Sequence, residues 1–154
     1  MKEYSARGFT AATAATADHA LGALWNASST KRICVVEYGI YKAGAGAAND
    51  SIYVCRITAR GTAGSTVTPD GDNDWSGDGA TPPSGALLDL AAYSVQPTRA
   101  SPNLFGWVAS AAAGAGFSKP SPRGIWIPAG TGLAICQRAA TAWPTSEVYF
   151  EWLE

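Results

Sequence analysis

The chain has little of what catalysis usually requires. Its 154 residues include a single histidine, His19, and charged residues make up only 15% of the sequence. One imidazole cannot supply the several histidine ligands of a cupin-like metal enzyme. No GxSxG turn marks a nucleophilic serine, and the neighbouring Asp18 does not by itself orient the His19 ring. We therefore expect no enzymatic activity and no cofactor.

Charge of either sign is scarce as well. The formal net charge is −1, which gives no electrostatic attraction to nucleic acid or to an anionic membrane, so neither is expected as a partner. With so few charges, much of the surface must consist of small and aromatic residues. Such a surface is poorly soluble unless other subunits or partners cover it. The composition therefore favours an oligomer.

Cysteine usage and the first residues bear on the compartment. Cys34, Cys55 and Cys136 are an odd number without CxxC spacing, and each lies in an apolar run where a free thiol packs as a small hydrophobe. The start MKEYSARGFT has no apolar signal core, and no apolar run approaches the ~20 residues that span a bilayer. We expect synthesis in a reducing cytoplasm.

What the chain does contain is a series of short strand-like runs separated by Gly, Pro, Ser and Asn. The last run is the clearest, because apolar Val148, Phe150 and Trp152 alternate with more polar residues. The spacing is typical of an antiparallel β-sandwich. We predict one all-β domain of jelly-roll type over residues 1–154, with long Gly/Pro-rich loops and residues 1–20 as a candidate extended N-terminal arm. The predicted strands are Tyr4–Phe9, Leu21–Trp25, Ile33–Tyr41, Ser51–Ala59, Ala92–Gln96, Leu104–Ser110, Gly124–Ile127, Leu133–Arg138 and Ser146–Leu153.

Four stretches are harder to assign. The segment TAATAATADHALGAL is alanine-rich but shows no clear apolar stripe, and GALLDLAAY could form one short turn of helix. Both are predicted to be mainly non-helical. The connection over residues 61–85 is too long and polar to build its own core, and loops of this length are usually functional or disordered. The connection over residues 110–123 carries prolines that predict an open loop.

The runs CVVEYGIY and SIYVCRITA are predicted to pair as a hairpin across the loop KAGAGAAND. Pairing Tyr41 with Ile52 places Glu37 opposite Arg56 and gives one wholly apolar face, from Cys34 to Ile40, that is expected to form core. The opposite face, which also carries Val35, Tyr41, Ile52 and Val54, is then a mixed surface suited to a neighbouring subunit. In this register the Glu37–Arg56 pair is structural rather than catalytic.

The remaining enzymatic alternative to a structural role is catalysis by carboxylates. Glycoside hydrolysis needs a pair of them, and Glu37, Glu147 and Glu151 are the candidates. However, Glu147 and Glu151 face outward from the last strand, and Glu37 is matched by Arg56 in the predicted register. We therefore do not favour a hydrolase.

The sharpest local motif is DGDNDWSGD, in which Asp70, Asp72, Asp74 and Asp78 gather oxygen ligands as a calcium loop does. The sixth position, where such a loop needs Gly, holds Trp75, and the twelfth lacks the bidentate Glu. A solvated acidic turn is therefore favoured over a cation site, with these four aspartates as the only candidate ligands.

Six tryptophans must also be placed. Trp107 and Trp152 lie among apolar strand residues and are expected in the core. Trp126 points opposite to its isoleucine neighbours, so one of the two sets faces away from the core. Trp75 and Trp143 lie in the loop contexts DNDWSGD and ATAWPTS, where tryptophan either folds back onto its own domain, stacks on a sugar or anchors a partner.

Residues 20–70 resemble a pattern of tailed-bacteriophage head proteins. In that pattern an "L-x-N-P/A-S" step leads to a basic residue, then to a "V-x-E-x-G-I" strand and to "R-x-T-x-x-G-T-x-G-S". The rest of the chain is similar only through IPAGTGLAI and the closing VYFEWLE. The matching positions are Leu24, Asn26, Ala27, Ser28, Lys31, Arg32, Val35, Glu37, Gly39, Ile40, Arg56, Thr58, Gly61, Thr62, Gly64 and Ser65.

The resemblance implies a jelly-roll decoration (cement) protein, bound outside an icosahedral phage capsid between hexamers of the major capsid protein. Such proteins have no active site and act by many weak contacts multiplied by symmetry. The implied partners are further copies of the chain, as a homotrimer, and the major capsid protein on the virion exterior. The alternative is a carbohydrate- or receptor-binding head domain of a phage tail or fibre. The expected interface residues are Tyr4, Arg7 and Phe9 in the arm, Trp126, and the loop anchors Trp75 and Trp143.

Overall fold

A computed structural model of the chain describes residues 2–69 and 82–154. Within these residues the chain forms β-strands and turns but no helix, and so no helix that could cross a bilayer. The strands are β1 (Glu3–Phe9), β2 (Ala20–Trp25), β3 (Ile33–Lys42), β4 (Asp50–Ala59), β5 (Ser65–Val67), β6 (Leu87–Leu90), β7 (Thr98–Arg99), β8 (Phe105–Ala109), β9 (Gly116–Ile127), β10 (Gly132–Gln137) and β11 (Ser146–Leu153).

The strand pairing is that of one long hairpin rolled into two sheets. β1 pairs with β11, β2 with β10, β3 with β9, and β4 with β8, all antiparallel. Successive pairs alternate between a four-stranded sheet, ordered β1-β11-β3-β9, and a larger sheet, ordered β5-β6-β2-β10-β4-β7 with β8 also on β4. This nested order is that of a jelly roll. The predicted antiparallel β-sandwich is confirmed.

The main core lies between the two sheets, where side chains from the inner faces interdigitate. On β11, Val148, Phe150 and Trp152 are fully buried, as their alternation predicts. A smaller apolar cluster lies on the other face of the larger sheet, where Tyr53 and Cys55 pack with neighbouring strand residues and with Tyr93. The central strands β2, β4 and β10 are therefore largely buried on both faces.

The predicted β3–β4 hairpin is wrong. The two strands lie in different sheets, so Glu37 does not face Arg56. A register irregularity between Val35 and Glu37 also changes which side of β3 faces inward. Alternation alone could not reveal this, because β4 buries both of its faces and Val54, assigned to a mixed outer surface, is fully buried in the main core.

Two further differences concern strands that were not predicted from the sequence. GALLDLAAY contains β6, Leu87–Leu90, and the predicted open loop over residues 110–123 becomes strand from Gly116 onward. Pro120 and Pro122 are tolerated in β9 because it is the edge strand of the four-stranded sheet, where a missing N–H breaks no central ladder.

The predicted strand Ala92–Gln96 is not formed beyond an isolated bridge between Val95 and Thr62. This segment instead lies against Gly64, where an added Cβ would come 2.7 Å from the carbonyl oxygen of Ala92. The close backbone approach holds the segment as a cover over the larger sheet rather than as a paired strand.

Candidate functional site

Two of the predicted partner anchors are core residues. Tyr4 and Trp143 are each only 2% exposed. The Tyr4 ring stacks with Trp152 at 6.1 Å between centroids, and Trp143 Nε1 donates a hydrogen bond of 2.8 Å to Ser146 Oγ. Neither ring is available to a partner, so these two assignments are wrong. Tyr4 also lies in β1, so residues 3–9 form a sheet strand rather than an extended arm.

Other predicted site residues fall outside the described part of the chain. These are Trp75 and the candidate cation ligands Asp70, Asp72, Asp74 and Asp78. Within residues 2–69 and 82–154, no three His, Cys, Asp or Glu side chains come together as a metal site.

The most distinctive surface is a groove between edge strand β9 and the neighbouring edge of the larger sheet, with a volume of about 640 Å³. We call it the β9-edge groove. Its apolar part is unusually open to solvent, because Leu104 is 42% and Trp126 is 41% exposed. The residues that characterise it are Arg56, Leu104, Lys119, Pro122, Arg123 and Trp126.

The β9-edge groove combines this apolar surface with positive charge. The guanidinium of Arg56 crosses from β4 and donates a hydrogen bond of 2.6 Å to the backbone oxygen of Trp126. Arg32 stacks on the Trp126 ring, with its Cζ 4.3 Å from the ring centroid, and Lys119 Nζ lies 4.5 Å from the Phe105 ring. No carboxylate from the described residues lines the groove.

A buried asparagine fixes the end of the groove that holds Trp126. Asn26 is fully buried, and its Nδ2 donates to the backbone oxygens of Lys31, at 2.9 Å, and Ile127, at 3.3 Å. These bonds tie the turn before β3 to the end of β9. They therefore hold Arg32, which follows Lys31, beside Trp126, which precedes Ile127.

The backbone of β9 disfavours pairing with a further strand along the groove. Pro120 and Pro122 remove two N–H donors from this edge, which is how sheet edges resist strand addition. Gly124 has a φ of +65°, and a Cβ there would collide with Cys34 Sγ. A partner in the groove must therefore be recognised mainly by side chains.

A second polar surface lies on the outward face of the four-stranded sheet, around a shallow depression of about 350 Å³. We call it the tyrosine–carboxylate face. The predicted interface residue Arg7 lies on it, with Nε 3.4 Å from Glu147 Oε1, and Phe9 lies at the end of β1 and is 62% exposed. The depression is lined by Arg7, Glu37, Tyr41, Ser118, Glu147, Tyr149 and Glu151.

Hydroxyl groups organise the centre of this face. Ser118 Oγ and Tyr149 Oη donate hydrogen bonds of 2.6 and 2.7 Å to Glu37 Oε1. These two bonds, with that from Ser118 the larger contribution, lower the pKa of Glu37. Burial raises the pKa of Tyr149. Glu37 is therefore an ionised acceptor rather than the proton donor that glycoside hydrolysis requires.

The carboxylates are closer together than the sequence suggests. Glu37 lies directly opposite Glu151 in the sheet register, and Glu147 lies on the same face. The predicted pairing with Arg56, one reason for setting a hydrolase aside, is absent. The lowered pKa of Glu37 now argues against acid catalysis there, and the lack of enzymatic activity stays a prediction.

Two tyrosine rings of this face lie close to glycines of the adjacent strand. A Cβ on Gly116 would come 2.5 Å from Tyr41 Cδ1, and one on Gly39 would collide with the Tyr149 ring. Aromatic cover of this kind compensates for glycine in a sheet. Tyr41 is 37% exposed, so it presents part of its ring to solvent.

Comparisons with known proteins do not identify the function of either surface. No family model matches the chain, and no curated protein matches it significantly. The functional interpretation therefore depends on the two surfaces and on the resemblance within residues 20–70.

Proposed function

We propose that the chain is a virion structural protein that binds the outside of an icosahedral phage capsid as an oligomer. It stabilises the shell by adhesive contacts between subunits of the major capsid protein. The observation that carries the proposal is the β9-edge groove, in which exposed Trp126 and Leu104 lie beside arginines. Exposed apolar surface of this kind marks interaction sites, and Trp and Arg are enriched where interfaces bind most strongly.

Three residues of the segment that resembles phage head proteins lie in or beside the groove. Asn26 belongs to the "L-x-N-P/A-S" step and ties together the two chain segments at one end of the groove. Arg32 and Arg56 also belong to the resembling segment, and both contact Trp126. The resembling segment therefore supports the Trp126 end of the groove, while the rest of the lining comes from residues 104–126.

The mechanism is adhesion by a rigid module. The sandwich core holds the groove in a fixed shape, so little conformational entropy is lost on binding. A single groove then needs only moderate affinity, because copies joined in an oligomer, expected to be a homotrimer, engage neighbouring capsid subunits together. Bridging those subunits opposes their separation under internal pressure.

The test is the presence of the chain on purified particles. Mass spectrometry of intact virions should find it in a fixed ratio to the major capsid protein, and particles stripped of it should lose genomes at lower temperature. A chain absent from particles, or one whose removal leaves heat resistance unchanged, contradicts the proposal.

A second candidate is the carbohydrate- or receptor-binding head domain, and the tyrosine–carboxylate face is the observation that favours it. Tyr41 offers an exposed ring, while Glu37 and Arg7 offer a charged acceptor and a donor for sugar hydroxyls. A glycan array probed with wild type and Tyr41→Ala distinguishes the two functions. Glycan binding that Tyr41→Ala abolishes and Trp126→Ala retains would favour the head domain, whereas stoichiometric co-purification with capsid protein excludes it.

A further inference from the structure

We infer that the β9-edge groove binds an acidic, extended segment of a partner polypeptide. This inference rests on the proposed function, since the partner it describes is the surface of a capsid protein, and it names the chemistry by which that partner is recognised. The groove supplies the positive charge and the apolar contacts that such a segment needs.

Charge complementarity is the first argument. Elsewhere in the molecule arginines lie beside carboxylates: Arg60 makes two contacts of 2.7 Å with Asp89, and Arg99 Nη1 lies 3.1 Å from Asp18. The β9-edge groove differs, because Arg56, Lys119 and Arg123 line it while no carboxylate of the described residues does. Cations gathered without acidic neighbours raise the local potential and attract an anionic partner.

Shape is the second argument. The groove follows β9 from Lys119 to Trp126, whose partners on β3 are Tyr38 and Cys34, because residues 121–124 bulge out of the ladder. At the rise of a strand these ends are about 13 Å apart, the length of roughly four extended residues. Pro120 and Pro122 disfavour recognition by strand pairing. An extended segment would therefore be held by its carboxylates on the arginines and by apolar side chains on Leu104 and Trp126.

The identity of the anion is the third argument. A guanidinium fork suits a carboxylate in bidentate geometry, and exposed Leu104 and Trp126 suit the apolar side chains of a peptide. A wider polyanion, such as duplex nucleic acid or an anionic bilayer, would also meet the adjacent tyrosine–carboxylate face, where Glu37 lies opposite Pro120 in the sheet register. Those carboxylates repel a broad anionic surface but leave room for a narrow segment.

The experiment uses the purified full chain and isothermal titration calorimetry. The probe is a synthetic nine-residue peptide that alternates Asp and Leu, compared with the same peptide carrying Asn in place of Asp. We expect the acidic peptide to bind, the neutral peptide to bind at least tenfold more weakly, and added salt to weaken the acidic complex. Arg123→Glu should reduce the affinity at least tenfold, whereas Arg138→Glu, an equal change of charge at an exposed arginine that does not line the groove, should leave it unchanged.

Several outcomes overturn the inference. They are no binding of the acidic peptide, equal binding of the neutral one, or binding that Arg123→Glu leaves intact while thermal unfolding shows a folded variant. Tighter binding of a short DNA duplex, a heparin fragment or phosphatidylserine vesicles would assign the groove to another class of partner.

If particles carry the chain but Arg123→Glu decorates them normally, the inference fails while the proposed function stands. If the peptide binds as expected but particles lack the chain, the proposed function fails instead.

Discussion

Two tryptophans of this chain each lie against a cation but differ in burial. In each a cation lies 4.3 Å from the ring, Lys42 Nζ at Trp143 and Arg32 Cζ at Trp126. Trp143 is 2% exposed and Trp126 is 41% exposed. The difference lies in what surrounds the pair, because Trp143 is enclosed within the sandwich whereas Trp126 borders an open groove.

The environment also changes the cation. Lys42 is almost fully buried and donates a hydrogen bond of 2.7 Å to the backbone oxygen of Ser110. Burial lowers its pKa, and the carboxylate of Asp50 partly opposes that shift. Arg32 remains exposed to solvent and free to meet a partner. A cation–aromatic pair is therefore part of the core where elements close over it, and is accessible to a partner where they do not.

The largest expected effect is on stability. Trp143→Ala should lower the free energy of unfolding by about 3–5 kcal/mol, because it leaves a cavity in the core. Trp126→Ala should change it by less than about 1 kcal/mol, since the ring is half exposed. Urea titration of both variants measures the difference, and similar losses would remove the contrast between the two sites.

The next effect is on binding. Trp126→Ala should weaken attachment to particles by more than about 2 kcal/mol, roughly thirtyfold, because a central aromatic anchor is lost. Phe9→Ala is the matched control, since Phe9 is also an exposed aromatic but lies on β1, at the opposite edge of the sheet. Co-sedimentation gives both affinities. A greater loss for Phe9→Ala would place the contact at β1.

A smaller loss of stability is expected at the residue that supports the groove. Asn26→Ala removes a donor shared among backbone oxygens, which should cost about 1–3 kcal/mol. It should also weaken particle binding, because Arg32 and Trp126 are no longer held together. Urea titration and co-sedimentation at a temperature where the variant stays folded check both effects. Binding equal to wild type would show that Asn26 serves stability alone.

The smallest expected effect is a pH dependence of the free energy of unfolding, and it is expected only from Lys42 of the buried Lys42–Trp143 pair. Because the pKa of Lys42 is lower in the folded than in the unfolded chain, the unfolded state binds more protons between those two values. The contribution of Lys42 to stability therefore rises with pH across that window and is lost as pH falls through the folded pKa.

The pH dependence due to Lys42 is obtained by subtracting the unfolding free energy of Lys42→Met from that of wild type at each pH. Tyrosines that lose protons in the same pH range are present in both chains, so their contributions cancel. For Arg32→Met, which leaves Lys42 in place, the same subtraction should show no such slope. A flat difference for Lys42→Met would mean that Lys42 is not desolvated as its burial indicates.

Much of the fold follows from local patterns in the sequence. Alternation in SEVYFEWL predicts β11 and its buried face, and the apolar runs place β2, β4 and β10 within about a residue of their observed ends. Which strands pair could not be predicted, because β3 and β4 are neighbours in sequence but the turn between them carries the chain from one sheet to the other. The prolines at 120 and 122 led to the prediction of an open loop for a similar reason, since only the sheet order shows that β9 is an edge strand, where proline is tolerated.

The candidate site was only partly predictable. Trp126 is a sequence candidate because its neighbours in the strand pattern face the other way. Arg56 and Arg123 are widely separated in sequence and line the same groove only because the fold brings β9 beside the end of the larger sheet that holds β4 and β8. Trp143 misled because ATAWPTS has the composition of an exposed loop, although its tryptophan is buried in the core.

The most direct test of the central claim is a high-resolution cryo-electron microscopy map of particles carrying the chain. The account predicts that an acidic segment of the major capsid protein lies along β9, with its carboxylates at Arg56 and Arg123 and an apolar side chain on Trp126. A map in which the β9-edge groove faces solvent while another surface contacts the shell would contradict it.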